Sequence, residues 1–536
     1  MSVTSKSFLQ PLDRHAIALM LLLSLLIGLL LWQGDAAQPR VRDFSWQDKQ
    51  VGVEDTAFTL NFSRPMDIKS VEDNLQIDPS LPGKVSWAGR RMAYTLLAPP
   101  PYGTSYQVQL HGARDRFTEQ GDSGRLIQPF NGRFRTRDRA FVYLGVEGEE
   151  QGRLVLYNLT EQQKTILTPK DLVVVDFKSY PGGEKILFSA TERTGNRQGL
   201  LSSQLYTVMT GIRQSQKAAD NSDSAGRIDL VLDSKDYQNL KFDLSADGQT
   251  IVVQRVNQRN PGEFGLWVLR TSGELSSRPT PQPLQIAESG GDFIITPDSA
   301  AVAVAQGQGI AILPLQSAES GARPGFPASH GSLQEESISP HLPQRFKRGA
   351  QKPLDFLPQF GMVLDFAQDG SQAAMVKFNS DYTRSLFLVT NQGVQKQLLR
   401  TTGSIQSCKF DPLSPNLYCL LTQLLKSQEY QEQPYLAVID INSGKLTPLV
   451  VLPNQRDVQM SLSPDGLALL FDQVVTATTA SVPSQSDVPR TNEGEAIATS
   501  RLWLLPLLPT TSVERTSTQL KPEQLPLPGF HPRWLP

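Results

Sequence analysis

Short apolar runs alternate with polar turns along most of this chain. Within the runs, apolar and polar residues often alternate singly, as in Phe58-Thr-Leu-Asn-Phe62, and a period of two is that of a β-strand with one buried face. The turns between the runs are rich in Gly and Pro, of which the chain has 39 and 38. Helical periodicity is scarce beyond the first apolar segment. The pattern therefore predicts an all-β chain with many strands and tight turns.

One long apolar segment near the N-terminus departs from this pattern. Residues 16–32 are apolar apart from two small residues, and as a helix they rise by about 25 Å, close to the thickness of a hydrocarbon core. We therefore predict a transmembrane signal anchor over residues 16–33, preceded by a short cytoplasmic tail over residues 1–15. A cleaved signal peptide is the alternative, because Lys6 and Arg14 precede the apolar segment, as basic residues do in export signals.

Residues 39–138 form a second segment, in which about seven short alternating runs fit a β-sandwich. Its motifs are Leu60-Asn-Phe-Ser-Arg-Pro-Met-Asp67, Gly103-Thr-Ser-Tyr106 and Leu110-His-Gly-Ala-Arg-Asp115. In this order they resemble the bacterial Ig-like family found in surface-layer and other envelope proteins. The resemblance implies an Ig-like β-sandwich that acts as a spacer or adhesion module without catalysis.

From residue 141 to residue 536 the chain repeats a strand, a tight polar turn and a second strand. One copy is Val458-Gln-Met-Ser-Leu-Ser-Pro-Asp-Gly466, which Leu467-Ala-Leu-Leu-Phe471 follows. Asp-Gly suits this turn because both residues tolerate the backbone geometry that joins antiparallel strands. A third strand follows most copies, such as Leu502-Trp-Leu-Leu505. A repeat of this kind is typical of propellers.

The number of repeats predicts the number of blades. Six copies carry a third strand, and a seventh is split, with residues 141–144 and 154–157 at its start and residues 530–535 at the end of the chain. Pairing the two parts would close a ring and remove exposed strand edges. We therefore predict a β-propeller of about seven blades closed by the C-terminal strand, with six or eight blades as the alternatives.

The turn and the third strand together carry a second resemblance. A Ser-Pro-Asp-Gly turn followed by a Leu-Trp-Leu strand resembles the repeat of the TolB-like propellers, a family of bacterial envelope proteins. The resemblance covers residues 141–536 and implies a periplasmic protein partner. The same repeat occurs in the propeller domains of peptidases and lyases, so that the fold alone does not assign a function. One turn departs from the pattern, because Ser299 follows Asp298 where Gly is usual.

Three segments interrupt the repeat and contain few apolar residues. They are rich in Ser, Gly, Gln, Pro or charged residues and lie near residues 211–228, 316–352 and 478–500. Because such compositions bury too little apolar surface to order themselves, we predict loose loops there.

Charge and composition exclude several classes of function. The chain has 51 Lys plus Arg and 53 Asp plus Glu, so that no overall positive field would attract nucleic acid. Its five histidines are scattered along the sequence, which does not favour a histidine-based metal site. We predict no catalytic residue, no metal, no cofactor and no nucleic-acid partner.

The two cysteines, Cys408 and Cys419, flank a predicted hairpin turn. If Phe410 pairs with Leu417, the register places the two cysteines opposite each other on one face of adjacent strands. Directly paired residues are close enough for a disulfide, which is expected in an exported domain. Two buried free thiols are the alternative.

Four arginines alternate near the end of the predicted sandwich: Arg133, Arg135, Arg137 and Arg139. In a continuing strand, all four would project from one face. This face is a candidate contact for an anionic surface, such as lipid head groups or a cell-wall polymer. A solvated face at the junction of two domains is the alternative.

These features together predict a non-enzymatic, membrane-anchored binding or scaffolding protein. We expect it in the bacterial cytoplasmic membrane as a single-pass protein, with the bulk of the chain in the periplasm or outside. The N-terminal helix would contact the membrane, and the propeller face would contact a protein or an envelope polymer. The alternatives are a hydrolase or lyase with its site in the propeller funnel, and a purely structural cell-wall spacer.

Overall fold

The computed structural model describes most of the chain and divides it into two compact units. The described residues are 11–32, 38–116, 124–193, 203–212, 224–271, 280–284, 291–307, 309–315, 353–425, 431–453, 455, 457–476, 490–491, 495–507 and 521–536. The first unit comprises Met1–Asp48, Thr56–Leu97 and Ser105–Phe134, and the second comprises Lys49–Asp55, Ala98–Thr104 and Arg135–Pro536.

The N-terminal apolar segment forms a helix, α1 (Pro11–Trp32). Across the part of the chain that the structure describes, no helix has both the length and the apolar character needed to cross a bilayer. The predicted transmembrane anchor over residues 16–33 is therefore wrong, and so is the single-pass localisation in the bacterial cytoplasmic membrane that depended on it. The physical reason is length, because an apolar rise of about 25 Å falls short of a hydrocarbon core of about 30 Å.

Eight strands and one short helix follow α1. In chain order they are β1 (Val41–Phe44), β2 (Gln50–Val51), β3 (Ala57–Phe62), α2 (Ile68–Asn74), β4 (Leu75–Asp78), β5 (Gly83–Ala88), β6 (Arg91–Leu96), β7 (Ser105–Leu110) and β8 (Phe130–Thr136). They form two four-stranded sheets with the orders β1-β3-β6-β5 and β2-β8-β7-β4. The Asp67 side chain caps α2 by accepting a hydrogen bond from the Ser70 backbone N–H at 2.7 Å, which satisfies one free donor of the helix.

An aromatic core of the first unit contains residues of β1, β3, β7 and β8. The Trp46 and Phe134 ring centroids are 5.0 Å apart, those of Phe44 and Phe58 are 5.3 Å apart, and Tyr106 stacks on Phe134 at 5.0 Å. Alternate residues of β3 and β7 point into this core, as the period of two requires. The Ig-like assignment of this unit stays a prediction.

The second unit contains seven four-stranded sheets, which we call blades 1 to 7. Blade 1 begins with β9 (Ala140–Gly145), β10 (Leu154–Asn158) and β11 (Gln163–Ile166), and a short 3₁₀ helix (Gly148–Glu150) joins β9 to β10. Blade 2 comprises β12 (Leu172–Ser179), β13 (Lys185–Glu192), β14 (Gln204–Met209) and β15 (Ile228–Leu232). Blade 3 comprises β16 (Tyr237–Leu244), β17 (Thr250–Asn257), β18 (Phe264–Arg270) and β19 (Gln282–Pro283).

The remaining blades have the same strand order. Blade 4 comprises β20 (Phe293–Ile295), β21 (Ala301–Gln306), β22 (Gly309–Pro314) and β23 (Asp355–Leu357). Blade 5 comprises β24 (Met362–Phe366), β25 (Gln372–Phe378), β26 (Arg384–Thr390) and β27 (Gln395–Thr401). Blade 6 comprises β28 (Ile405–Phe410), β29 (Asn416–Leu424), β30 (Glu432–Asp440) and β31 (Leu446–Val451). Blade 7 comprises β32 (Met460–Leu462), β33 (Ala468–Thr476), β34 (Ile497–Pro506) and β35 (Glu523–Gln524).

The last strand of the chain completes the first blade. β36 (Gly529–Trp534) pairs antiparallel with β9, with Phe530 opposite Leu144 and Trp534 opposite Phe141. The sheets of the second unit therefore form a β-propeller that the C-terminal strand closes, which leaves β9 without an exposed edge. Apolar cores lie between neighbouring blades, such as the one that packs Leu420 of blade 6 against Phe471 of blade 7.

The hairpin turns follow the chemistry of the repeat. In blade 7, Asp465 accepts hydrogen bonds from the Ser463 hydroxyl at 2.6 Å and the Leu467 N–H at 3.2 Å, and Gly466 takes a positive φ of 68°. In blade 4, Ser299 adopts a φ of 58° at the position that Gly usually fills. This conformation costs a residue with a Cβ about 1 kcal/mol or more. The backbone at Ser299 is therefore strained where Gly would not be.

The predicted loose loops lie mainly outside the described residues. The residues outside the description are 213–223 of the first loop, all of the second loop at 316–352, and 478–489 and 492–494 of the third. Ile228 begins β15 and Ile497 begins β34, so that the ends of two predicted loops are strands.

Candidate functional site

The inner strands of all seven blades surround one cavity of about 540 Å³. Its lining residues come from β12, β16, β20, β24, β28, β32 and β36, together with two strands further out in blade 4. A cavity of a few hundred Å³ is in the range that proteins use for small ligands. Because every blade contributes to it, this cavity is the candidate functional site.

Charged side chains line one part of the cavity. Four are cations, namely Lys178, Lys241, Lys409 and Arg533, and two are carboxylates, namely Asp176 and Asp292. Each cation pairs with one carboxylate: Lys178 with Asp243 at 2.5 Å, Lys241 with Asp292 at 2.6 Å, Lys409 with Asp365 at 2.8 Å, and Arg533 with Asp176 at 3.5 Å. The cations are therefore held in place before any ligand arrives.

Two of these carboxylates also bind the backbone of the next blade. Asp243 of blade 3 accepts a hydrogen bond from the Ile295 N–H of blade 4 at 2.8 Å. Asp365 of blade 5 accepts one from the Phe410 N–H of blade 6 at 3.2 Å. Such charge-assisted bonds are stronger than neutral ones. Both aspartates therefore hold neighbouring blades together and position a lysine at the cavity.

A third aspartate joins the ends of the ring. Asp472 of blade 7 accepts hydrogen bonds from the Gln459 N–H and from the His531 N–H of the closing strand, both at 2.7 Å. Its side chain is fully buried, and burial raises the pKa of the carboxyl to about 7 although both hydrogen bonds favour the charged form. The closure of the propeller thus depends on a carboxyl that titrates near neutral pH.

His531, Arg533 and Asp176 form a network beside this closure. The buried His531 ring accepts a hydrogen bond at Nε2 from Arg533 Nε at 3.1 Å. Burial lowers the pKa of His531 to about 3, and the Arg533 charge acts in the same direction, so that the ring is neutral and able to accept. Burial alone would raise the pKa of Asp176, but the neighbouring positive charges, that of Arg533 above all, outweigh it and lower that pKa.

The opposite part of the cavity is apolar. Blades 4 and 5 supply its lining, which comprises Ile294, Ala303, Ala305, Ile310, Met362, Val363 and Leu364. Alternate residues of β21 are alanines, and their small side chains leave space that a leucine would fill. The cavity is therefore amphipathic, with cations supplied by blades 1, 2, 3 and 6 and apolar side chains by blades 4 and 5.

Trp534 contributes an unusual donor to the lining. Its side chain is 6% exposed and packs edge-on against Phe141 at 5.5 Å. Its indole Nε1–H is buried and has no hydrogen-bond partner among the described residues. A buried donor without an acceptor costs about 1 to 3 kcal/mol, so that an acceptor reaching this position would be stabilised.

The two predicted cysteines lie away from the cavity lining, in the core of blade 6. Cys408 and Cys419 face each other across β28 and β29 and form a disulfide of 2.05 Å. Phe410 pairs with Leu417 in the same register, as the sequence predicts. Both cysteines are fully buried in the core that blades 5 and 6 share, so that the disulfide has a structural role.

The four predicted arginines each have a carboxylate partner. Arg133 pairs with Asp48 at 2.6 Å, Arg135 with Asp138 at 2.5 Å, Arg137 with Glu54, and Arg139 with Asp465 at 3.1 Å. Because β8 ends at Thr136, Arg137 and Arg139 lie beyond the strand. The predicted contact with an anionic surface stays a prediction.

The cavity residues were not predicted from the sequence, although one signal points to them. An aspartate next to an aromatic or aliphatic residue recurs in three inner strands, as Asp176, Asp243 and Asp365. A recurring aspartate in otherwise apolar strands indicates a repeated polar contact. Among the described residues, no group of three or more His, Cys, Asp or Glu is arranged to hold a metal ion.

No protein-family model and no curated protein matches this chain. Solved structures similar to it include TolB from Acinetobacter baumannii, at 12% identity and a TM-score of 0.36, covering 86% of this chain and 83% of that chain. They also include oligogalacturonate lyase from Vibrio parahaemolyticus, at 12% identity and a TM-score of 0.39, covering 67% and 84%. TM-scores below 0.5 assign no function, and the propeller fold rests on the seven closed sheets themselves.

Proposed function

We propose that this protein is a non-enzymatic binding protein whose ligand site is the central cavity of the propeller. The observation that carries the proposal is the amphipathic lining of that cavity, in which fixed cations face apolar side chains. The ion pairs and the bonds between blades hold these groups rigidly, and a preformed site loses little entropy when it binds. The partner that we propose, a protein or an envelope polymer, would contact the propeller face through this site.

A hydrolase or lyase is the second candidate, and Asp472 is the observation that favours it. Its pKa of about 7 suits a general acid or base. However, the Asp472 side chain is fully buried, and both of its oxygens already accept backbone hydrogen bonds. A substrate would have to displace these bonds to reach the carboxyl, which is why we favour a role in holding the propeller closed.

Photocrosslinking in the producing cell tests the binding proposal. A benzophenone amino acid at Gln406, an exposed position in the cavity lining, should give a specific adduct that mass spectrometry detects as a protein or a polymer. The same amino acid at Tyr382, which is 93% exposed and not in the cavity lining, is the control. Equal adducts at both positions, or none at Gln406, would contradict the proposal.

A further inference from the structure

We propose that the cavity binds a small anionic amphiphile, a molecule that joins a carboxylate or a phosphate to a short apolar chain. This inference rests on the proposed function, because it takes the central cavity as the ligand site. It goes further by naming the chemistry that the cavity recognises, and it assigns each end of the ligand to particular blades.

The charged part of the lining favours an anion. Lys178 and Lys409 have side chains that are 31% and 40% exposed, whereas their partners Asp243 and Asp365 are 7% and 17% exposed. Lys241 is 43% exposed beside Asp292, which is 64% exposed. An ammonium group has three N–H donors, so that a lysine held by one carboxylate can still donate to a ligand. The lining residues include four cations and two carboxylates, and Asp243 and Asp365 balance Lys178 and Lys409 from outside the lining.

This balance of charges also limits the kind of anion. Every cation already has a carboxylate partner, and a polyanion such as a nucleic acid would meet those carboxylates as well, since Asp292 is 64% exposed. A single carboxylate or phosphate fits better, because it can share cations whose partners, Asp243 and Asp365, are mostly buried.

The apolar part of the lining requires a ligand with a hydrocarbon segment. Ala305 of blade 4 and Met362, Val363 and Leu364 of blade 5 are half-buried and line the cavity there. Binding is favoured when a hydrocarbon chain displaces water from apolar surface of this kind. A purely polar anion would leave this half of the cavity unused, and a neutral hydrocarbon would leave the cations unused.

Trp534 supplies an independent reason to expect an acceptor atom. Its buried indole N–H has no partner among the described residues, although the residue belongs to the cavity lining. An oxygen of a carboxylate or a phosphate is the acceptor that such a donor requires.

Calorimetry with octanoate on the full-length protein tests the proposal. We expect octanoate to bind at one site, and octanol and octylamine, which share its chain length, to bind at least about tenfold more weakly, because one charge-assisted bond is worth about a factor of ten. Lys241→Gln and Lys409→Gln should each weaken octanoate binding by about tenfold. Lys445→Gln, at an exposed lysine in the turn between β30 and β31, should not change it.

A second variant tests the apolar end without touching any charge. Ala305→Leu, at a half-buried lining position that pairs with Ile310, should fill space in the cavity and abolish octanoate binding while circular dichroism and the thermal midpoint stay close to those of the wild type. A smaller anion, acetate, should still bind weakly at the charged end of this variant.

Three results would overturn the inference. The first is that octanoate and octanol bind equally well. The second is that Lys241→Gln and Lys409→Gln leave octanoate binding unchanged, and the third is that the wild type does not bind octanoate at all. The two proposals can also fail separately. If the protein binds an acidic peptide but not octanoate, the inference about the ligand is wrong, whereas a specific crosslink at Gln406 would still support the proposed function. If octanoate binds but Gln406 gives no protein or polymer adduct, the proposal of a macromolecular partner is wrong instead.

Discussion

Two junctions of the propeller use the same hydrogen bond in different electrostatic surroundings. Between blades 3 and 4, Asp243 accepts from the Ile295 N–H and also pairs with Lys178. Between blade 7 and the closing strand, Asp472 accepts from the His531 N–H, and no cation is paired with it among the described side chains. The comparison teaches that an aspartate can join two blades with or without a counter-ion. At the junction without one, burial raises the pKa of Asp472 to about 7.

Removing the Asp472 carboxyl should have the largest effect, and it should depend on pH. A carboxyl whose folded pKa is raised to about 7 contributes stability at low pH and loses it as pH rises through about 7. His531, with a folded pKa lowered to about 3, does the opposite and loses its contribution as pH falls below about 6.5. In the wild type, these two dependences offset each other between about pH 4 and pH 6.5.

In Asp472→Asn only the His531 dependence remains. The free energy of unfolding of the variant, relative to the wild type, should therefore rise by about 3 kcal/mol between about pH 4 and pH 6.5. Urea titrations followed by tryptophan fluorescence at several pH values measure this difference. Parallel pH profiles for the wild type and the variant would show that Asp472 does not titrate in this range.

Removing the Asp243 carboxyl tests the junction that has a counter-ion. Asp243→Ala leaves the Ile295 N–H and the Lys178 ammonium without their acceptor, which should lower the free energy of unfolding by about 3 kcal/mol. Asp229→Ala is the matched control, because Asp229 is 59% exposed and its partner Arg227 lies 3.7 Å away. The control should cost less than about 1 kcal/mol. Similar losses in both variants would mean that the bond between the blades adds nothing.

These junctions also show which features of the propeller could be predicted from the sequence and which could not. Blade number and closure follow from local strand and turn patterns, and the pairing of Cys408 with Cys419 follows from the register of one hairpin. The cavity does not follow in this way, since Lys178 and Asp243 are 65 positions apart and Asp243 and Ile295 are 52 apart. Only the convergence of consecutive inner strands brings these three residues together.

Two predictions failed or stayed open because a local pattern was extended too far. The apolar segment at residues 16–32 was taken to span a membrane, although its helical rise of about 25 Å falls short of a bilayer core. The alternation of four arginines assumed one continuous strand, whereas β8 ends at Thr136. The first prediction is therefore wrong, and the contact of the arginines with an anionic surface stays a prediction.

Blade 6 offers a covalent bond for comparison with these polar junctions. The disulfide between Cys408 and Cys419 closes a loop with a sequence separation of 11, and a cross-link of this length restricts the unfolded chain by about 2.5 kcal/mol. Cys408→Ala/Cys419→Ala should lose about that much stability in urea titrations. Its pH profile should parallel that of the wild type, because neither residue titrates when bridged. A loss that varies with pH as in Asp472→Asn would contradict this distinction.

Asp365 should give the smallest effect and complete the series. Its bond to the Phe410 N–H is longer, at 3.2 Å, and its side chain and that of Lys409 are 17% and 40% exposed. Water therefore screens this pair, and Asp365→Asn keeps an oxygen that can still accept from Phe410. We expect a loss of about 1 kcal/mol in urea titrations, with Asp243→Asn as the matched substitution at the buried junction. If Asp365→Asn costs as much as Asp243→Asn, burial of the aspartate does not set the strength of a blade junction.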